Sequence, residues 1–165
     1  AASSASPIEE TDDPEIPVPI KRELDARFPG WRFPKIDPEI GKYLREYDPA
    51  NSHPAFISGD FDGNGQQDYA VFIEHGVSAE NANDIPVSVN SELVVFLTRR
   101  NKFKLHLLYP AEYIAFIKKG ESGYDYETDK RFTYENDSIF TGFWEKAGSS
   151  YVYKKGKFRE VITSD

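Results

Sequence analysis

From Pro54 to the end of the chain, apolar residues occur in runs of strand length that are separated by turn residues. The clearest runs are at residues 55–58, 69–74, 92–98 and 103–109. Each run is either apolar throughout or alternates with polar residues, which is the pattern of β-strands. The longest purely apolar stretches, such as residues 93–97, are much shorter than the roughly 18 to 20 residues that a membrane-spanning helix needs. The sequence therefore predicts an antiparallel sheet and no transmembrane segment.

The chain before Pro54 has a helical period instead. Apolar residues recur every four positions from Ile20 to Phe28, which predicts a short amphipathic helix. Asp37 is a good N-cap because proline follows it at the first helical position, and we expect this second helix to end near Asp48. Its predicted apolar face consists of Ile40, Tyr43, Leu44 and Tyr47. We therefore predict an α+β fold, in which two short N-terminal helices pack against one face of a mostly antiparallel sheet, a meander of roughly six to eight strands.

The length of 165 residues and the hydrophobic content of 39% are typical of a single domain with one core. Residues 1–19 are rich in alanine, serine, proline and acidic residues, so we expect an extended N-terminal arm. Residues 20–165 are then the single α+β domain. The small and polar residues at the start are similar to those that follow a removed signal peptide, although a trimmed chain would begin in the same way. They favour an exported protein, located in the periplasm, at the cell surface or outside the cell.

Charge and composition disfavour several classes of function. The net charge is −8, from 28 acidic and 20 basic side chains, which argues against nucleic acid or an anionic membrane as a partner. The absence of cysteine excludes disulfides, thiolate metal sites and cysteine nucleophiles. The basic residues from Arg99 to Lys102 connect two apolar runs at hairpin length, so we expect a turn and not a binding patch. Alternating aromatic residues from Tyr124 onward could form a carbohydrate-stacking platform, but they are more typical of a sheet face that fills a core.

One segment has the spacing of metal ligands. Residues 59–68 read Gly-Asp-Phe-Asp-Gly-Asn-Gly-Gln-Gln-Asp, so that oxygen-bearing side chains alternate with glycines. Ca²⁺ binds roughly six to eight oxygen ligands, and the glycines allow the backbone to curl so that these ligands converge. We predict a calcium site whose ligands are a backbone carbonyl, water and four side chains. The carbonyl belongs to Gln66, and the side chains are those of Asp60, Asp62, Asn64 and Asp68.

The segment does not match an EF-hand, because the twelfth position of such a loop needs a bidentate glutamate and is Val71 here. Residues 58–72, in which a Tyr-Ala-Val strand follows the loop, resemble the calcium-binding loop of FG-GAP and VCBS-type repeats. The resemblance implies an exported setting and a calcium ion bound by Asp60, Asp62, Asn64 and Asp68. It does not imply a propeller, because the chain has a single copy of the loop and no internal repeat. The same residues would also make a metal-free turn between two strands.

The sequence contains no recognisable catalytic set. The three histidines, His53, His75 and His106, lack the spacing of a zinc site, and neither a nucleophile elbow nor a phosphate-binding loop occurs. We therefore predict an exported, non-enzymatic calcium-binding domain with a structural metal, which acts as a protein-interaction module for an unidentified macromolecular partner. The first alternative is a hydrolase whose site lies near a loop at residues 76–89, and the second is an inhibitor or immunity-type protein that blocks a partner enzyme. The sequence does not give the oligomeric state.

Overall fold

The computed structural model describes residues 13–76 and 89–164. In this part of the chain there are two helices, α1 (Val18–Arg27) and α2 (Pro38–Tyr47), and ten β-strands. The strands are β1 (Phe56–Gly59), β2 (Asp68–His75), β3 (Asn90–Arg99), β4 (Lys102–Leu108), β5 (Tyr113–Ile117), β6 (Ser122–Asp125), β7 (Lys130–Thr133), β8 (Ser138–Gly142), β9 (Gly148–Lys154) and β10 (Lys157–Ser164). The two predicted helices and the four predicted strands between residues 55 and 109 are confirmed.

The strands form three antiparallel sheets within the described residues. The first sheet is a meander with the order β1-β2-β3-β4, and the second has the order β10-β9-β8-β5. The third consists of the β6–β7 hairpin. This hairpin is inserted between β5 and β8, which pair with each other.

The first and second sheets pack face to face and bury the main core between them. Three alternate residues in the central part of β3 point into this layer, together with residues of β5, β8 and β9. The buried set includes Leu93, Val95, Leu97, Ile114, Ile139 and Tyr151, of which none is more than 4% exposed. The pair of sheets is therefore a β-sandwich.

The two helices cover opposite outer faces of this sandwich. The α1 side chains Ile20 and Leu24 have no exposed surface and belong to the same cluster as Phe96, on the outer face of the first sheet. The α2 side chain Ile40 is buried with Tyr113, on the outer face of the second sheet. The layers therefore follow the order helix, sheet, sheet, helix.

The predicted α+β fold is wrong. Instead of one sheet of roughly six to eight strands with both helices on one face, the described chain has ten strands in three antiparallel sheets and is mostly β. The physical reason is that a period of two identifies the two faces of a strand but not the sheet that the strand joins. Ile139 follows Ser138 and Tyr151 follows Ser150, and nothing in these short runs shows which sheet they join. Both residues face Val95 from the opposite side of the core.

The second helix begins as predicted, but its apolar face differs. The Asp37 side chain accepts a hydrogen bond from the Glu39 N–H at 3.0 Å and caps the helix. Tyr43 and Tyr47 lie largely in solvent, at 53% and 71% exposure, so the buried face of α2 is narrower than expected. The first helix begins at Val18, before the first apolar residue of the predicted period.

Two predictions fall partly outside the described residues. Residues 1–12 of the expected N-terminal arm and residues 77–88 of the expected surface loop are not among them. The hydrolase alternative, which placed a site near that loop, therefore has no described geometry. Neither helix of the described chain is long and apolar enough to cross a membrane.

Candidate metal site

The predicted metal-binding loop connects β1 to β2. Gly59 at the end of β1 pairs with Asp68 at the start of β2. The loop of residues 60–67 therefore begins and ends on two adjacent strands, which lie about 5 Å apart. Gly63 and Gly65 have φ angles of 75° and 82°, in the left-handed region that residues with a Cβ disfavour. These glycines let the loop curl tightly, and side chains from its two ends converge.

Three of the predicted ligands meet at the base of the loop. One carboxylate oxygen from each of Asp60, Asp62 and Asp68 lies within 4.8 Å of the other two. The Asp62 side chain is 1% exposed, and Asp68 has no exposed surface. Within the described residues, this is the one group of three or more acidic or histidine side chains close enough to share an ion. Ionised carboxylates held this closely repel one another, and the repulsion is stronger for the two that are removed from water.

Asp68 is held by two backbone amides. Its Oδ2 accepts a hydrogen bond from the Phe61 N–H at 2.9 Å, and its Oδ1 accepts one from the Thr98 N–H at 2.7 Å. Burial is the main cause that raises the pKa of the Asp68 carboxyl to about 7. The charges of Asp62 and Asp60 act in the same direction, and the two amide hydrogen bonds oppose it. A cation between the carboxylates would favour the charged form of Asp68.

The other two carboxylates accept hydrogen bonds from the tip of the loop. Asp60 Oδ1 and Asp62 Oδ1 both accept from the Asn64 N–H, at 3.1 and 3.2 Å. Asp60 Oδ2 accepts from the Gly65 N–H at 2.8 Å. The backbone of the loop therefore orients both side chains toward its interior.

Asn64 and Gln66, the remaining predicted ligands, belong to the hydrogen-bond network of the loop. Asn64 Oδ1 accepts from the Gln66 N–H at 2.9 Å, and Asn64 Nδ2 donates to the Thr98 carbonyl at 3.0 Å. The Thr98 hydroxyl donates to the Gln67 carbonyl. Thr98 lies near the end of β3, so these contacts attach the loop to the neighbouring strand.

A basic group also lies at this site, and it was not predicted from the sequence. Arg99, at the end of β3, donates one guanidinium hydrogen bond to Asp62 Oδ2 and another to the Tyr153 hydroxyl at 3.2 Å. Arg99 does pair with Lys102 across the predicted hairpin turn, but its side chain contacts the loop. The register of the first sheet could have indicated this, because β3 runs beside β2 and ends next to Asp68. With all three carboxylates ionised, as a bound cation would favour, the carboxylates and the guanidinium have a net charge of −2, which one Ca²⁺ would balance.

A second missed contribution comes from the turn that precedes β8. Asp137 accepts hydrogen bonds from the backbone N–H groups of Asp60 and Lys119, each at 2.9 Å. The Asn136 side chain packs on Gly63 so closely that a Cβ at Gly63 would lie 2.5 Å from Asn136 Oδ1. This turn therefore holds the loop from the side of the second sheet. No local pattern could relate these residues, since the bond between Asp60 and Asp137 spans 77 positions.

No protein-family model, curated protein or solved structure matches this chain. The resemblance to FG-GAP and VCBS-type loops therefore rests on residues 58–72 alone. Function is accordingly inferred from the geometry of the loop and its neighbours.

Proposed function

We propose that residues 60–68 bind one Ca²⁺ ion and that this ion stabilises the fold. The observation that supports the proposal most is the convergence of three carboxylates within 4.8 Å of one another, with Asp62 and Asp68 removed from solvent. Buried carboxylates are stable in a protein when they are paired with cations or coordinate a metal. Arg99 supplies one positive charge, and a divalent cation would neutralise the rest.

The donor set favours Ca²⁺ over other ions. The proposed ligands are the side chains of Asp60, Asp62, Asn64 and Asp68 and the carbonyl of Gln66. All of them are oxygen donors, which suit hard cations, whereas zinc sites usually contain histidine or cysteine. Mg²⁺ needs a nearly ideal octahedron with short bonds, but Ca²⁺ accepts the variable geometry that a glycine-containing loop provides.

The position of the loop supports a structural role for the ion. Asp68 accepts from the Thr98 N–H on β3, while the Asp60 N–H donates to Asp137 on the side of the second sheet. An ion bound between Asp60 and Asp68 would therefore link the β1–β2 connection to both sheets. The carboxylates in this arrangement serve to close the loop, which supports a non-enzymatic domain.

The same proposal places the domain outside the cytoplasm. The resemblance to FG-GAP and VCBS-type loops supports this location. The guanidinium of Arg99 supports it too, because it would compete with a cation for Asp62. A guanidinium beside a ligand weakens cation binding, and extracellular calcium modules work with dissociation constants of about 10⁻⁴ to 10⁻³ M. Such a site would be occupied at the calcium concentration outside cells.

Thermal unfolding tests the calcium site directly. The protein is first melted in EDTA, and Ca²⁺ or Mg²⁺ is then titrated in. At 100 times the dissociation constant, Ca²⁺ should add about 2.7 kcal/mol to the free energy of unfolding. For a domain of this size the melting temperature should then rise by roughly 5 to 11 °C, and Mg²⁺ should give a much smaller rise.

Single substitutions test whether the calcium-dependent rise in melting temperature comes from this loop. Asp60→Asn and Asp62→Asn should each abolish most of the calcium-dependent increase. Asp129→Asn is the matched control, because it removes the same charge from an exposed turn whose φ of 57° asparagine tolerates. Absence of a calcium-dependent rise in a verified metal-free sample, or an equal loss in the control, would contradict the proposal.

A further inference from the structure

The β6–β7 hairpin is fixed against the second sheet at both of its ends. At the open end, the Tyr134 hydroxyl lies 2.7 Å from Ser150 Oγ on β9. Near the turn, the Tyr126 N–H donates to the Ile162 carbonyl on β10 at 3.0 Å. A cavity of about 340 Å³ lies between the hairpin and these two strands. Because both ends of the hairpin are attached to the second sheet, the cavity exists before any ligand binds.

The cavity has the size and the apolar surface of a small-molecule site. Such sites usually measure roughly 300 to 1,000 Å³ and combine apolar walls with a few polar groups. Phe132, Val152 and Val161 provide apolar surface here, and Thr133 and Ser138 add polar groups.

The charged part of the lining is basic although the protein is acidic. The charged lining residues are Lys130, Arg131, Lys154, Arg159, Asp125 and Glu135. Four basic and two acidic side chains leave an excess of two positive charges, in a chain whose net charge is −8. Among the residues that the structure describes, no carboxylate oxygen lies within 4.0 Å of a nitrogen of these four basic side chains. Asp125 accepts hydrogen bonds from backbone N–H groups of its own turn, and the positive charge of Arg159 also acts on it and helps to lower its pKa.

The strand register brings two of the basic residues to one face. Arg159 of β10 is directly opposite Val152 of β9, and Lys154 is two positions along β9 from Val152. Side chains two positions apart share a face of a strand, so Lys154, Arg159 and Val152 line the cavity from the same side. Cationic groups therefore lie next to an apolar wall.

We propose that this cavity binds a small anion with an apolar body. Lys154 and Arg159 hold its carboxylate or phosphate group, and the apolar body packs against Phe132, Val152 and Val161. None of the proposed calcium ligands lines the cavity, so this proposal does not rest on the proposed function.

An NMR titration with matched probes tests the site. Phenyl phosphate and benzoate carry an aromatic ring with an anionic group, and benzamide is the neutral counterpart of benzoate. We expect the two anions to shift backbone amide signals of β7, β9 and β10 at millimolar concentration, with little effect from benzamide. Tighter binding of phenyl phosphate would indicate a phosphate ligand, and tighter binding of benzoate would indicate a carboxylate ligand. Absence of saturable shifts up to about 10 mM of either anion, or equal binding of benzamide, would overturn the proposal.

Charge variants distinguish binding in the cavity from non-specific attraction of anions to basic residues. Lys154→Gln combined with Arg159→Gln should weaken binding of the better anion about tenfold, since contacts to charged groups are lost. Lys155→Gln combined with Lys157→Gln removes the same charge from neighbouring positions that do not line the cavity. This control should change the affinity less than about twofold. Equal losses in the two double variants would show that no specific site exists.

Discussion

Replacing Gly63 with alanine should destabilise the protein more than replacing Gly65. Both glycines have left-handed φ angles, 75° and 82°, so both substitutions put a side chain into a disfavoured backbone conformation. Their surroundings differ, because a Cβ at Gly63 would lie 2.5 Å from Asn136 Oδ1 whereas a Cβ at Gly65 would meet no atom within 4 Å. Gly65→Ala is therefore a matched control for the backbone cost alone.

The magnitudes follow from the backbone cost and the steric clash. A left-handed conformation costs alanine roughly 1–2 kcal/mol. The lower entropy of the unfolded chain offsets about 0.4–1 kcal/mol of this, so Gly65→Ala should lose about 1 kcal/mol. Gly63→Ala must also displace the Asn136 side chain, and overpacking typically costs about 1–3 kcal/mol. The clash is with the end of a side chain, so we expect a difference of about 1–2 kcal/mol, or roughly 2–8 °C in melting temperature.

Urea unfolding in EDTA measures both losses without a contribution from bound metal. The Asn136→Ala background isolates the contact, because Gly63→Ala and Gly65→Ala should cost the same amount there. Equal losses in the parent protein would refute the close packing of Asn136 on the loop. A difference that persists without the Asn136 side chain would refute it as well.

Three further predictions concern charge, core and pH. Arg99→Gln should tighten calcium binding about tenfold, because Asp62 loses a competing positive charge. Calorimetric titration measures this affinity, and weaker binding in the variant would show that Arg99 instead positions Asp62. Ile139→Ala should cost about 2–5 kcal/mol since Ile139 has no exposed surface, whereas Leu107→Ala, at 55% exposure, should stay within about 0.5 kcal/mol. Similar melting temperatures for those two variants would contradict the sandwich core. Burial raises the pKa of Asp125, but hydrogen bonds in its turn and the positive charge of Arg159 outweigh this effect and hold the pKa below its usual value. Its contribution to stability is therefore present above the unfolded pKa of about 3.9 and is lost as the pH falls through the folded pKa. Asp125→Asn should then be destabilising at neutral pH and approach the parent protein in acid, and urea titrations that show a pH-independent difference would argue against this.

The elements that could be predicted are those whose signals are local. Asp37 followed by proline determines the start of α2 within three residues of chain, as the hydrogen bond from the Glu39 N–H shows. The apolar run at residues 93–97 is long enough to define β3 by itself. The convergence of Asp60, Asp62 and Asp68 also has a local origin, since all three side chains lie on one loop closed by a strand pair.

The missed features depend on contacts between distant segments. The short run Ser138–Gly142 would fit either sheet equally well, so the sequence could not show that Ile139 of β8 faces Val95 across a core. The sequence around Arg99 indicates only a turn, and the ion pair between Arg99 and Asp62 becomes visible only in the folded structure. Asp137 has no pattern that links it to the loop, although it accepts the Asp60 N–H.

The hydrogen bond between Asp60 and Asp137 also has a consequence for folding kinetics. It joins the metal-binding loop to a turn 77 positions away, so the final shape of the loop requires the two sheets to be docked. An ion that binds this shape would stabilise the native state far more than the transition state for folding. Calcium would then slow unfolding and leave the folding rate nearly unchanged, so its effect would be on the lifetime of the folded domain.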